Sequence, residues 1–191
     1  MNFDIQKIVK TYLKYFENEF NNLEPLFKLI KQSEKENKNI FCSDNILGHI
    51  TASGFIYAKK EKKILLLEHK KLGKLLQPGG HVEKFDTTIL DTAKREIYEE
   101  TGLENLDLIN FSSNKSIPFD INIHPIPANL KINMPAHYHH DFRYLFTIDS
   151  IPNVKIDSSE SNGYKWVSLS DLQKIDDFKL IIEKINKLLN I

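Results

Sequence analysis

The sequence predicts an α+β or mixed α/β sandwich. Three observations carry that expectation. The hydrophobic periodicity runs helices, strands, one helix, strands and a last helix. The internal helix is strongly patterned and lies between β-rich runs. The length, 191 residues, suits one domain with a small appendage and a core that needs no disulfides.

Residues 3–36 read as two helices, with Ile5, Ile8, Val9, Tyr12, Leu13 and Phe16 at helical spacing. A break falls near Asn21-Asn22, and Pro25 marks a second start before Leu26, Leu29 and Ile30. The polar segment 35–39 follows, so residues 1–40 read as an N-terminal helical extension and 41–191 as the main domain. Gly48–Ala58 and Lys63–His69 are β-rich runs joined by a turn at Lys59–Lys62. A third extended piece, Leu75–Val82, is interrupted by Pro78-Gly79-Gly80. Thr87–Thr101 is a helix with an inward stripe of Leu90, Ala93 and Ile97. Thr88 and Asp91 form its capping pair and Gly102 its stop. Strands follow near 105–111, 117–124, 137–148 and 163–168. A last helix spans 170–189, with Leu172, Ile175, Ile181, Ile185 and Leu188 apolar.

Composition narrows the function classes. Lys+Arg and Asp+Glu are 26 each, a formal net charge of zero. That argues against non-specific nucleic-acid binding, which needs a cationic surplus. Cys42 is the lone cysteine, so no intramolecular disulfide can form. The first residues lack a basic, then apolar, signal pattern, and no apolar run approaches the roughly 18–20 residues that span a bilayer. The expectation is a soluble cytoplasmic protein. Of the 26 cations only Arg95 and Arg143 are arginine, which points to sites that need a planar bidentate fork.

The densest chemistry is Arg95-Glu96-Ile97-Tyr98-Glu99-Glu100-Thr101-Gly102-Leu103. On a helix Glu96, Glu99 and Glu100 fall at i, i+3 and i+4 and share one face. Such carboxylates repel one another unless cations neutralise them. Arg95 can pair with Glu99 one turn on. The oxygens that remain suit Mg²⁺, or Mn²⁺, better than zinc. Upstream, Gln77-Pro78-Gly79-Gly80-His81-Val82-Glu83 is a glycine-rich loop whose backbone can approach a metal or phosphate. An isolated Glu-x-x-Glu-Glu is more often a solvated acidic face; the glycine loop before it changes that balance.

Residues 80–103 resemble the Nudix box of the Nudix hydrolases. Gly80, Arg95, Glu96, Ile97, Glu99, Glu100, Gly102 and Leu103 match its pattern. Two positions depart from it: Asp86 stands where the box has Glu, and eight residues rather than seven separate it from Arg95. The departure leaves the role of Asp86 open and does not touch 95–100. The resemblance covers roughly 45–190. It implies a Nudix-type α/β/α sandwich with a mixed sheet, and Mg²⁺-dependent cleavage of a diphosphate linkage in a nucleotide or nucleoside-diphosphate derivative by activated water. It further implies that Glu99, Glu100 and a carbonyl of Gly79 or Gly80 ligate the metal. Glu96 is then a ligand or the general base, and Arg95 orients these carboxylates. Glu160, six residues before Trp166, is a candidate further acid or base, or else a surface-loop glutamate.

The run His137-Tyr138-His139-His140-Asp141-Phe142-Arg143-Tyr144-Leu145-Phe146 alternates. His137, His139, Asp141 and Arg143 share one face, read as polar and partly basic; Tyr138, His140, Phe142, Tyr144 and Phe146 share the other, aromatic one. His137, His139 and Arg143, with His81 from the glycine loop, are candidates to bind substrate phosphates. The His137-x-His139 spacing also admits zinc. The lack of partner cysteines and the oxygen ligands nearby weigh against zinc, and a hydrogen-bonded surface cluster is the bland alternative.

The partner implied is a small nucleotide-type molecule, with no nucleic acid and no membrane, and a monomer or homodimer as the state. A catalytically silent Nudix fold that senses a nucleotide is the alternative reading. Three mutually repelling carboxylates are unnecessary for mere binding and favour the enzyme. An isoprenoid diphosphate isomerase needs a cysteine near its site, and the context of Cys42 does not resemble one.

Overall fold

The computed structural model describes residues 4–43, 45, 47–128 and 134–190. Helix α1 (Ile5–Tyr12), a 3₁₀ segment (Glu17–Leu23) and α2 (Glu24–Glu36) lead into the strands. These are β1 (His49–Ala58), β2 (Lys63–His69), β3 (Lys74–Leu76) and β4 (Gly79–His81). After α3 (Ile89–Thr101) come β5 (Asp107–Ile109), β6 (Asp120–Ile126), β7 (His137–Ile148) and β8 (Ser161–Ser168). The chain closes with α4 (Leu169–Leu172) and α5 (Asp176–Leu189).

The sheet is mixed. Strands β1 and β7 run parallel along their whole length, from His49 opposite His139 to Ala58 opposite Ile148. The other pairings are antiparallel: β1 with β2 and β4, β2 with β3 and β8, and β7 with β5 and β6. The central strand β1 is buried at every position, as expected of a strand covered on both faces. Its alternate residues Ile50, Ala52 and Ile56 join Leu90, Ala93 and Ile97 of α3 in one core. Phe55 and Tyr57, pointing the other way, join Phe178, Ile181, Ile182 and Ile185 of α5 in a second. Helices therefore cover both sides, and each fully buried Ile or Leu contributes roughly 1.5–3 kcal/mol. Gly54 lets α3 approach β1 closely: a Cβ there would lie 2.5 Å from the Ile97 Cδ1.

The N-terminal helices are built into the same core, through Ile5, Val9, Tyr12, Leu23, Leu26 and Leu29. A polar tie reinforces them. Lys184 of α5 donates to Asp120 (2.6 Å) and to the Tyr12 hydroxyl (2.8 Å) and pairs with Glu19 (2.5 Å).

Most elements match the sequence reading. Thr88 caps α3, its hydroxyl accepting from the Asp91 amide at 3.0 Å, and Gly102 ends the helix at φ 68°. Phe3, read into the first helix, lies outside the described residues. Three spans differ. The extended piece 75–82 is two short strands, because Pro78 has no amide to donate. The last helix is two, because Ile175 is extended (φ −99°, ψ 118°) and 44% exposed instead of packing on the expected stripe. Tyr138, expected on the aromatic core face of β7, is exposed near the strand's start, whereas Phe142, Tyr144 and Phe146 are buried. No described helix is long and apolar enough to cross a membrane.

Candidate active site

The last two turns of α3 and the glycine strand β4 make the site. Arg95 is its organiser. Its guanidinium donates to both oxygens of Asp86 (3.1 Å each), to Glu96 (2.9 Å), to Glu99 (2.7 Å) and to the His81 carbonyl (2.7 Å). The expected i,i+4 pair with Glu99 is therefore present, and one fork serves five acceptors. Asp86 answers the question its spacing raised. It accepts from Arg95, from the Glu83 amide (2.8 Å) and from the Thr92 hydroxyl (2.9 Å). Burial pushes the Asp86 carboxyl up, but these hydrogen bonds outweigh it and hold the pKa below the usual range.

The three glutamates differ in setting. Glu99 is half exposed, Glu96 nearly covered and Glu100 buried. The Gly79 amide donates to Glu100 at 2.8 Å. Gly80 lies flat against Glu96, where a Cβ would come within 2.5 Å of its carboxylate oxygen. Burial, with the like charges of Glu99 and Glu160, pushes the Glu96 carboxyl up to about 7. Burial, with Glu96, Glu160 and Asp157, pushes Glu100 up to about 8. Crowded carboxylates raised in this way form a site that a cation relieves. The donor set is all oxygen and fits a hard divalent ion. Glu160, exposed in the turn before β8, lies near enough for its charge to act on Glu96, Glu100 and His81.

The histidine candidates lie on the other side of the sheet edge. Strand β1 lies between β4 and β7, pairing Thr51 with His81 on one side and His49 with His139 on the other. The His49 ring stacks on His81 (centroids 4.9 Å) and His137 (5.0 Å) and meets His139 edge-on (4.6 Å). His124 of β6 approaches His139 at 5.6 Å. This face is polar and carries Arg143 beside the histidines. Burial, together with the neighbouring histidines, drives His139 down to about 2, and burial lowers His81 and His124 too. Arg143 is already matched by Asp141 (3.1 Å) and Asp120 (3.3 Å). Asp141 also accepts from Ser53 (2.7 Å), Thr51 (3.3 Å) and Gln77 (3.3 Å).

The structure thus brings Gly80, His81, Arg95, Glu96, Glu99, Glu100 and Glu160 together. The rings of His81, His137 and His139 gather on the opposite face of the sheet, with Arg143 farther along β7. Sequence reasoning missed His49, whose one signal was its place on a strand paired with the histidine run.

The NUDIX domain model matches residues 48–189. A Lactococcus lactis subsp. cremoris protein named "Probable DHNTP pyrophosphohydrolase" is 36% identical over 128 residues, 67% of this chain and 71% of that one. A Clostridium perfringens hydrolase of the NUDIX family is 30% identical, with a TM-score of 0.52 over 73% of this chain and 97% of its own. The Escherichia coli dihydroneopterin triphosphate pyrophosphohydrolase shares the fold at 18% identity, with a TM-score of 0.55 over 74% of this chain and 96% of its own. With the family model matched over most of the chain and a relative 36% identical over two thirds of it, the protein belongs to the Nudix hydrolase family.

Proposed function

We propose that this Nudix pyrophosphohydrolase cleaves a phosphoanhydride in a nucleotide-type triphosphate or nucleoside-diphosphate derivative, with Mg²⁺ or Mn²⁺ held by Glu96, Glu99, Glu100 and the Gly80 backbone. The observation that carries it is the Arg95–Asp86 clamp, which fixes Glu96 and Glu99 while Gly79 fixes Glu100. Bound there, the cation supplies shielding of the diphosphate charge and a water of lowered pKa. Glu96 takes the proton of the attacking water. Glu160 closes the far side as a second acidic group, and Arg95 acts by orienting carboxylates. His81, His137, His139 and Arg143, on the other face of the sheet, are the substrate-binding candidates of this reading.

The relative from Lactococcus makes a pterin triphosphate the first substrate to try, beside nucleoside triphosphates. A silent ligand-binding fold is not favoured, since a sensor needs no such clamp. Residues 1–40 form an extension packed onto a catalytic domain of 41–191, acting in the cytoplasm as a monomer or homodimer.

The test is a panel of dihydroneopterin triphosphate, nucleoside triphosphates, dinucleoside polyphosphates and ADP-ribose with Mg²⁺, read by phosphate and pyrophosphate release. Turnover of at least one member, lost by orders of magnitude in Glu96→Gln, is expected. Tight binding without turnover across the panel overturns the reading.

A further inference from the structure

A second cluster of ligand atoms lies outside the carboxylates. His49, His137 and His139 each present one ring nitrogen, and the three nitrogens lie within 4.8 Å of one another. They come from two parallel strands in register, since His49 sits directly opposite His139 and His137 is two residues back on the same face. The α3 carboxylates lie across the sheet: Gly80 faces Glu96, while its neighbour His81 points to the histidine side, stacked on His49.

His137 shows how the cluster is set. Its Nδ1 lies 2.8 Å from the Pro135 carbonyl. A carbonyl only accepts, so Nδ1 carries the proton and Nε2 carries the lone pair. That Nε2 is buried, in a residue 4% exposed, and has no hydrogen-bond partner among the described residues. A ring fixed by a backbone carbonyl, with its other nitrogen bare and turned inward, is the arrangement of a metal-ligating histidine. Asp141 is not a further ligand, because Ser53, Thr51, Gln77 and Arg143 take up its oxygens.

We propose that His49, His137 and His139 bind a transition-metal ion of the zinc class, separate from the divalent cation of the α3 carboxylates. Three imidazoles and no carboxylate select Zn²⁺ or Co²⁺ over Mg²⁺. In tetrahedral zinc the nitrogens stand about 3.4 Å apart, from bonds of about 2.05 Å, so binding has to draw the present nitrogens, within 4.8 Å of one another, closer together. Three protein ligands leave a fourth position for a water or an anionic oxygen. In this arrangement His137 and His139 reach a substrate through the ion they hold. The assignment stands without the diphosphate chemistry.

The test uses the full-length chain, stripped with chelator and refilled with Zn²⁺ or Co²⁺ in excess Mg²⁺, then desalted. One zinc per chain by elemental analysis is expected, and the Co²⁺ form shows the intense visible bands of a four-coordinate nitrogen site. Affinity falls more than about tenfold in His139→Gln and His137→Gln and persists in Glu99→Gln/Glu100→Gln. Sub-stoichiometric zinc in the wild type overturns the proposal. So does retention in the folded histidine variants, or loss in the glutamate variant. Should a histidine variant fail to fold, the wild-type Co²⁺ spectrum decides, and the weak bands of an oxygen octahedron overturn it.

Discussion

Replacing Glu96 and Glu100 together by Gln removes two carboxyls that titrate near neutrality while keeping their shape and hydrogen bonds. Gln accepts from the Gly79 amide and the Arg95 guanidinium as Glu does. In the metal-free wild type, the folded-state carboxyls stand at about 7 and about 8 against an unfolded value of 4.5. The folded state therefore holds protons that the unfolded state has lost, and their contribution to stability falls as pH rises from 4.5 to about 8. Between about pH 6.5 and 8 the two together withdraw about 2 kcal/mol. For a chain of this length that is about 4–8 °C in Tm. The lowered histidines His81, His124, His139 and His140 oppose this. They are neutral when folded and gain protons when unfolded below about pH 6.5, so their contribution grows with pH. The difference between wild type and double variant cancels them. Scanning calorimetry in chelator across this range is the assay. The variant is expected to gain on the wild type by about 2 kcal/mol as pH rises, and saturating Mg²⁺ is expected to erase the gain by stabilising only the wild type. Parallel curves in chelator refute the claim that burial and crowding raise the Glu96 and Glu100 carboxyls.

Two further outcomes follow from the same geometry. Gly80→Ala, whose new Cβ meets the Glu96 carboxylate at 2.5 Å, should lower kcat about a hundredfold by displacing that group by about 1 Å. Its Tm should hardly change; steady-state kinetics beside a thermal melt checks both, and unchanged kcat contradicts it. Asp86→Ala leaves a nearly covered Arg95 without its bidentate partner. It should cost about 3 kcal/mol in denaturant unfolding and reduce turnover, whereas full stability would show the clamp to be idle.

The sequence made the catalytic helix legible because its signals are local. A cap at Thr88, a stripe at Leu90, Ala93 and Ile97 and a stop at Gly102 all lie within one element. The carboxylates follow from that helix, since i, i+3 and i+4 fix a face. The break at Ile175 was not legible, because its flanks keep helical spacing and only packing of Phe178 and Ile182 against the sheet decides the register. The role of Asp86 depends on where a loop returns, which spacing alone does not give. The histidine cluster needs the parallel pairing of β1 with β7, two strands about ninety residues apart. Local alternation shows which residues of β7 share a face but not that His49 stands opposite them.

The central claim is that the α3 carboxylates bind a hard cation and that hydrolysis depends on it. Electron paramagnetic resonance of Mn²⁺ titrated with the protein, read beside turnover in the same samples, tests it most directly. Wild type should remove free Mn²⁺ at one ion per chain, and Glu99→Gln and Glu100→Gln should each lose more than about tenfold in affinity with a matching fall in turnover. Equal Mn²⁺ binding by the wild type and both variants, or turnover that survives in chelator, would contradict the account.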